Sequence, residues 1–162
     1  MKALSLWQPW ATLMAIGAKK IETRSWNMRY RGPLAICATQ KWNSDVVENL
    51  NLASKTPELV DDWWHIVDAL INAGYQTLAE LPLGSVLCVV DVVDCIPTPI
   101  LVPRYYDGPP MITPKEKAFG DYSQARYGII TENLRRLKEP IPIKGKQGIF
   151  DIPDFDYERV KE

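Results

Sequence analysis

The sequence predicts an α+β fold, and three observations carry that prediction. Ser85 to Ile96 is dense in valine and suits a strand buried on both faces. Asn43 to Ala53 and Pro57 to Ala73 repeat their apolar residues at helical spacing. Shorter strand-like runs, punctuated by glycine and proline, lie on either side of these blocks. At 162 residues and 18.4 kDa the chain suits a single domain, expected over 1–153, that buries about two-thirds of the surface its unfolded form exposes.

Taken in order, Lys2 to Leu6 reads as the first strand, and Gln8-Pro9 opens a helix because proline suits its first turn. Trp10, Leu13, Met14 and Gly17 follow as one apolar stripe, which Gly17 ends. Lys20 to Trp26 alternates as a strand, with Lys20, Glu22, Arg24 and Trp26 on one face and Ile21, Thr23 and Ser25 on the other. Gly32-Pro33 then turns the chain into an apolar strand, Leu34 to Thr39, giving a hairpin-like unit.

The helical block, an expected insertion over about 43–80, is acidic. Its second helix is predicted to turn Leu59, Val60, Trp63, Trp64, Ile66, Val67, Leu70 and Ile71 inward and Asp61, Asp62, His65, Asp68 and Asn72 outward, with Gly74 as its stop. After the valine-rich central strand, six prolines between Pro97 and Pro114 predict a long irregular loop, over about 97–125, that could serve as a lid. Strands are expected at Arg126 to Arg136, Ile141 to Lys144 and Gly148 to Ile152. Residues 154–162 read as a polar, disordered tail.

Composition removes several chemistries. Cys37, Cys88 and Cys95 are an odd set without a Cys-x-x-Cys pair, expected as buried thiols in a reducing cytoplasm. The early apolar stretch is broken at Pro9 and Lys19, so neither a signal peptide nor a membrane span is expected. The lone histidine, His65, lies on the polar face of a helix, which disfavours histidine-dependent nucleophilic catalysis and zinc. No phosphate-cradling glycine loop is present; Gly145 and Gly148 lack that spacing, and no cofactor is expected.

The net charge of −1 hides a strong segregation. Lys19, Lys20, Arg24, Arg29 and Arg31 surround one carboxylate, Glu22, whereas residues 43–80 hold seven carboxylates and only Lys55. The cations are interleaved with Trp26 and Tyr30, a combination that suits phosphates and unstacked bases. Two readings fit this segment: a nucleic-acid site, or a solvated strand in which Glu22 and Arg24 pair while Trp26 joins the core. Trp7 is a candidate pocket wall, and Trp10 reads as core. Lys144, Lys146, Arg135 and Arg136 form a second basic group, either a continuation of the phosphate track or a solvated sheet edge.

The runs Leu4-Ser-Leu-Trp-Gln-Pro-Trp-Ala11, Gly17-Ala-Lys-Lys-Ile-Glu-Thr-Arg-Ser-Trp26 and Tyr30-Arg-Gly-Pro-Leu-Ala-Ile36 resemble the activating-signal-cointegrator homology (ASCH) domain family, in the branch similar to the cointegrator's own domain. Gly84 to Ile96 and Pro142-Ile-Lys-Gly145 resemble it too. The resemblance implies a small β-barrel similar to the PUA fold, with the first helix beside a cleft and the acidic helices inserted. It implies binding of RNA or another nucleic acid or nucleotide; a protein-interaction module using the acidic helices and exposed tryptophans is a separate reading of the same chain. Some relatives are ribonucleases, and a bacterial group hydrolyses acetylcytidine with a lysine, a threonine and a glutamate. In that alignment the lysine falls on Lys19, but the threonine falls on Glu22, and Thr23 should face the opposite side of the strand. An enzymatic role for Lys19 and Glu22 would therefore need a different, water-mediated hydrolysis.

Overall fold

The computed structural model describes residues 1–59, 62–102 and 112–157. Six strands form one mixed sheet: β1 (Lys2–Leu6), β2 (Ile21–Arg24), β3 (Gly32–Ala38), β4 (Ser85–Pro97), β5 (Tyr127–Pro142) and β6 (Ile149–Asp151). Their order is β2-β5-β4-β3-β1-β6, with β1 and β3 parallel and the other pairs antiparallel. Register shifts between β4 and β5 at Val86/Cys88, Val89/Asp91 and Val92/Asp94 bend the two longest strands. The sheet curls into a half-barrel, the architecture of a small α+β, PUA-like domain.

The valine-rich strand is near the middle of the sheet, but it is buried on both faces only in its first half, through Val86, Val89, Val90 and Val92; Val93 and Asp94 are exposed. One core inside the curl joins Leu4, Met14, Met28, Leu34, Ile36 and Val90, and α1 (Trp10–Ala15) covers it. Buried Gln8 tethers α1: its Nε2 donates to the Pro82 carbonyl at 2.7 Å and its Oε1 accepts from the Thr12 N–H at 3.1 Å. Gly17, at φ 75°, ends the helix and turns the chain toward β2.

Several expectations change. Residues 20–39 are not a hairpin: β2 pairs with β5 and β3 with β4, because tertiary pairing outweighs the short connection. Strand pairing in β2 ends at Arg24, so Trp26 lies beyond it. The two strands expected at 126–136 and 141–144 are one strand, β5, since β4 offers it a partner along nearly its whole length. In the acidic block, α2 (Ser44–Lys55) starts on Asn43, whose side chain accepts from the Asp45 and Val46 N–H groups. The second helix is shorter than its pattern: a 3-10 turn at Pro57–Leu59 precedes α3 (Trp63–Asn72), and Val60 and Asp61 lie outside the described residues. Ile66, Ala69 and Leu70 of α3 are buried against Leu13, Leu50 and Phe119, but Trp64 and Ile71 face solvent.

The proline-rich stretch contains two short helices, α4 (Thr98–Leu101) and α5 (Pro114–Ala118); residues 103–111, the centre of the expected lid, lie outside the described residues. In the tail, Phe155 and Tyr157 pack against the second core of Val86, Val89, Leu137 and Phe150, so residues 154–157 are not a free polar end. Residues 158–162 lie outside the described residues. No helix among the described residues is long and apolar enough to cross a membrane.

Candidate functional site

The first cleft encloses about 470 Å³ between α1, the start of β2, the N-terminus of α3 and the segment following α5. Its floor is polar. Lys19 leaves the turn after α1 and is only 2% exposed, a rare position for a lysine without partners. Its Nζ donates to the Ile21 carbonyl at 2.6 Å and the Phe119 carbonyl at 2.7 Å, and lies 3.5 Å from Glu22 Oε2. These three acceptors match the three hydrogens of an ammonium group. Burial pulls the Lys19 pKa below 10.5, while the Glu22 and Glu116 carboxylates oppose that shift.

Glu22 is also gripped from its other side by Arg24 Nε at 3.0 Å. Arg24 Nη2 in turn donates to the Ser5 carbonyl at 2.8 Å. Because β2 is one edge of the sheet and β1 lies near the other, this guanidinium clamps the open side of the half-barrel. The pairing of Glu22 with Arg24 is therefore present, and it belongs to a network that lines the cleft.

The opposite wall comes from α5 and the segment after it, a stretch expected from sequence to be an irregular loop. Buried Glu116 accepts from the Lys20 N–H at 3.0 Å and the Ile21 N–H at 2.8 Å, satisfying donors at the start of β2. Gly120 packs against Thr23, where an added Cβ would come 3.2 Å from the threonine methyl. Thr23 Oγ1 accepts from the Asp121 N–H at 3.1 Å, and Asp121 Oδ2 lies 3.3 Å from Arg126 Nε. The Tyr122 hydroxyl is buried without a hydrogen-bond partner among the described residues; burial, with Glu116 and Glu22 nearby, pushes its pKa up and keeps it a neutral phenol. A signal for this wall does exist in the sequence: Thr113-Pro114-Lys115-Glu116 has the capping-box spacing with proline in the first turn, and Thr113 Oγ1 accepts from the Glu116 N–H.

Aromatic rings complete the first cleft. Trp10 and Trp63 meet edge to face with centroids 6.0 Å apart, and Trp7, 45% exposed, stands at the rim. Trp10 is both partly buried in the core and a lining residue.

The second cleft, about 570 Å³, is chemically simpler. Ser5, Trp7, Arg24, Trp26, Thr39, Gln40 and the loop 144–148 line it, so its charged side chains are Arg24, Lys144 and Lys146 with no carboxylate. Gly145 brings this loop down onto β1, where an added Cβ would sit 2.5 Å from Ser5 Oγ. Lys144 and Lys146 are exposed and take no part in the ion pairs of the described residues. Trp7 and Arg24 line both clefts, so the two adjoin.

The clefts thus gather Trp7, Lys19, Glu22, Arg24, Trp26, Lys144 and Lys146. They do not include Lys20, Arg29 or Arg31. Lys20 and Arg29 are exposed elsewhere, and Arg31 holds its own turn through the Met28 carbonyl and pairs with Asp94 at 3.1 Å. Arg135 and Arg136 do not join the Lys144 group; Arg135 grips Asp91 at 2.6 Å and Arg136 donates to the Tyr75 hydroxyl.

A curled mixed sheet with a charged cleft beside its first helix is the setting in which the family can be stated. The ASCH domain family matches residues 4–137, and the chain belongs to that family. It is similar to activating signal cointegrator 1 of Homo sapiens, at 25% identity over 98% of this chain, and to that of Mus musculus, at 26% identity over the same share. The chain spans 23% of the length of these relatives.

Proposed function

We propose that the chain binds single-stranded RNA or a nucleotide end, with a base in the first cleft and phosphates along the second. The observation that carries this reading is the shared wall: Trp7 and Arg24 line a cleft rich in aromatic and hydrogen-bonding groups and, beside it, a cleft whose charges are all positive. Base edges need donors and acceptors, which Glu22, Arg126 and Asp121 offer at the first cleft. Phosphates need exposed cations, which Lys144 and Lys146 provide in a cleft that no carboxylate lines, although Lys146 also feels Asp151 outside it. Lys19 is assigned a different role from the other lysines, holding the cleft floor through two carbonyls and Glu22.

The test is fluorescence anisotropy with a labelled RNA of about ten nucleotides. Combined Lys144→Ala and Lys146→Ala substitutions should weaken binding and reduce the salt dependence by about 0.7 in log–log slope per lysine. Trp7→Ala should cost about 1–3 kcal/mol of binding through lost stacking. Unchanged affinity and slope in both variants would overturn the proposal. A hydrolytic role draws on one observation, the Lys19–Glu22 contact at the cleft floor. Incubation with acetylated nucleosides and short RNAs, yielding products that Glu22→Gln abolishes, would establish it.

A further inference from the structure

The acidic helices carry a second binding feature that shares no residue with the two clefts. A groove of about 480 Å³ runs between α2 and α3 and is closed by the turn before β4; Val47, Leu50, Val67, Leu70, Leu78 and Leu81 form half of its lining. Ile71, which also lines the groove, is 59% exposed, and Trp64, outside the lining and stacked on His65, is 43% exposed, although both belong to an otherwise well-packed helix. Helical spacing puts Trp64, Val67 and Ile71 on one face, so the exposed pair extends the apolar floor toward solvent. Contiguous apolar surface continuing from a groove is the kind of feature that marks a contact site, whereas singly scattered apolar residues are not.

The surroundings select the occupant. Glu48 follows Val47 on α2, Asp68 lies between Val67 and Leu70 on α3, and Glu80 precedes Leu81; all three carboxylates are exposed. Glu80 is held in place by accepting from the Gln76 N–H and the Thr77 hydroxyl. The nearby cations are Lys55 at the end of α2 and, in the neighbouring cleft that Tyr75 and Glu80 also line, Arg136 and Lys138. An apolar trough with acidic banks repels nucleic acid and anionic lipid surfaces and attracts an apolar strip flanked by lysine and arginine.

We propose that this groove docks a basic amphipathic helix of a partner protein, with apolar residues at i, i+3, i+4 and i+7 seated between α2 and α3 and cations against Glu48, Asp68 and Glu80. The mode needs no rearrangement of the sheet and leaves the basic clefts free. A chain built this way can hold a protein on its acidic side while its opposite charge engages a polyanion.

The probe is a synthetic helical peptide of leucine and lysine at that spacing, about 18 residues long, with a leucine and glutamate counterpart as control. Calorimetric titration of the full chain should show binding of the lysine peptide and none of the glutamate peptide. Ile71→Glu should weaken the lysine peptide roughly tenfold. That variant separates groove docking from mere charge attraction, because an added carboxylate would strengthen the latter. Asp68→Lys should also weaken binding, and both exposed sites can be changed without emptying the core, as an unchanged thermal midpoint would confirm. Equal binding of the two peptides, or lysine-peptide binding undiminished by Ile71→Glu, would overturn the proposal. So would sedimentation showing a dimer that Ile71→Glu dissolves, since the occupant would then be a second copy of the chain.

Discussion

Lys19 and Lys146 carry the same ammonium group into opposite surroundings, and the contrast separates the two clefts. Lys19 is buried, with two backbone carbonyls and Glu22 around it. Lys146 is exposed on a loop pinned by the contact of Gly145 with Ser5. A buried ammonium has lost its water and must keep its protein partners, so its energy is committed to holding the fold. An exposed one retains its water and its counterions, which a polyanion can displace. The same residue type thus builds one cleft and is offered to ligand by the other.

The largest expected effect breaks this contrast at its buried end. Lys19→Ala leaves Glu22 and the Ile21 and Phe119 carbonyls without their common donor, and should cost about 3–5 kcal/mol of stability in chemical denaturation. Lys146→Ala should stay within about 0.5 kcal/mol of the parent. Equal losses would mean that the two lysines do not differ in role. Next in size is Glu116→Ala, which orphans the Lys20 and Ile21 N–H groups where β2 begins. About 1–3 kcal/mol should be lost, with faster amide exchange at those two residues than at the sheet centre.

Much of this arrangement is legible in the sequence, and the parts that are not share a cause. The central strand and α1 follow from local composition and spacing, whereas the residue types from Gly17 to Arg24 leave a ligand site and a solvated strand equally open, and only the family resemblance favours the first. Lys19, however, looks identical to Lys20 in a list of charges. What separates them is contact with Phe119, one hundred residues away, which no local pattern reports. Pairing partners are equally non-local, so β2 and β3 read as a hairpin although each joins another strand. The wall made by Glu116 to Arg126 is hidden differently: the surrounding prolines obscure a short capped helix whose Thr113–Glu116 signal is present. Trp64 and Ile71 fit a helical stripe, but the stripe is wider than the surface available to cover it.

Asp91 provides the smallest effect and an intermediate case, a charge pair neither sealed from solvent nor free in it. Arg135 contacts it with two guanidinium nitrogens, at 3.0 and 2.6 Å, and Asn133 adds a third donor at 3.0 Å. Hydrogen bonding from Arg135 is the main reason the Asp91 pKa lies below its ordinary value; partial burial works against it and Asn133 assists. A carboxyl whose folded pKa is lowered gives stability that is fully present above its unfolded value, about 3.9, and is lost as pH falls through the folded one. Asp91→Asn should therefore be less stable than the parent at neutral pH, by about 1 kcal/mol given the access of solvent to the pair. The difference should close as both are titrated into acid below that range. A gap that persists unchanged there would place the effect in packing rather than charge, and would align Asp91 with the buried network around Lys19 instead of between the two extremes.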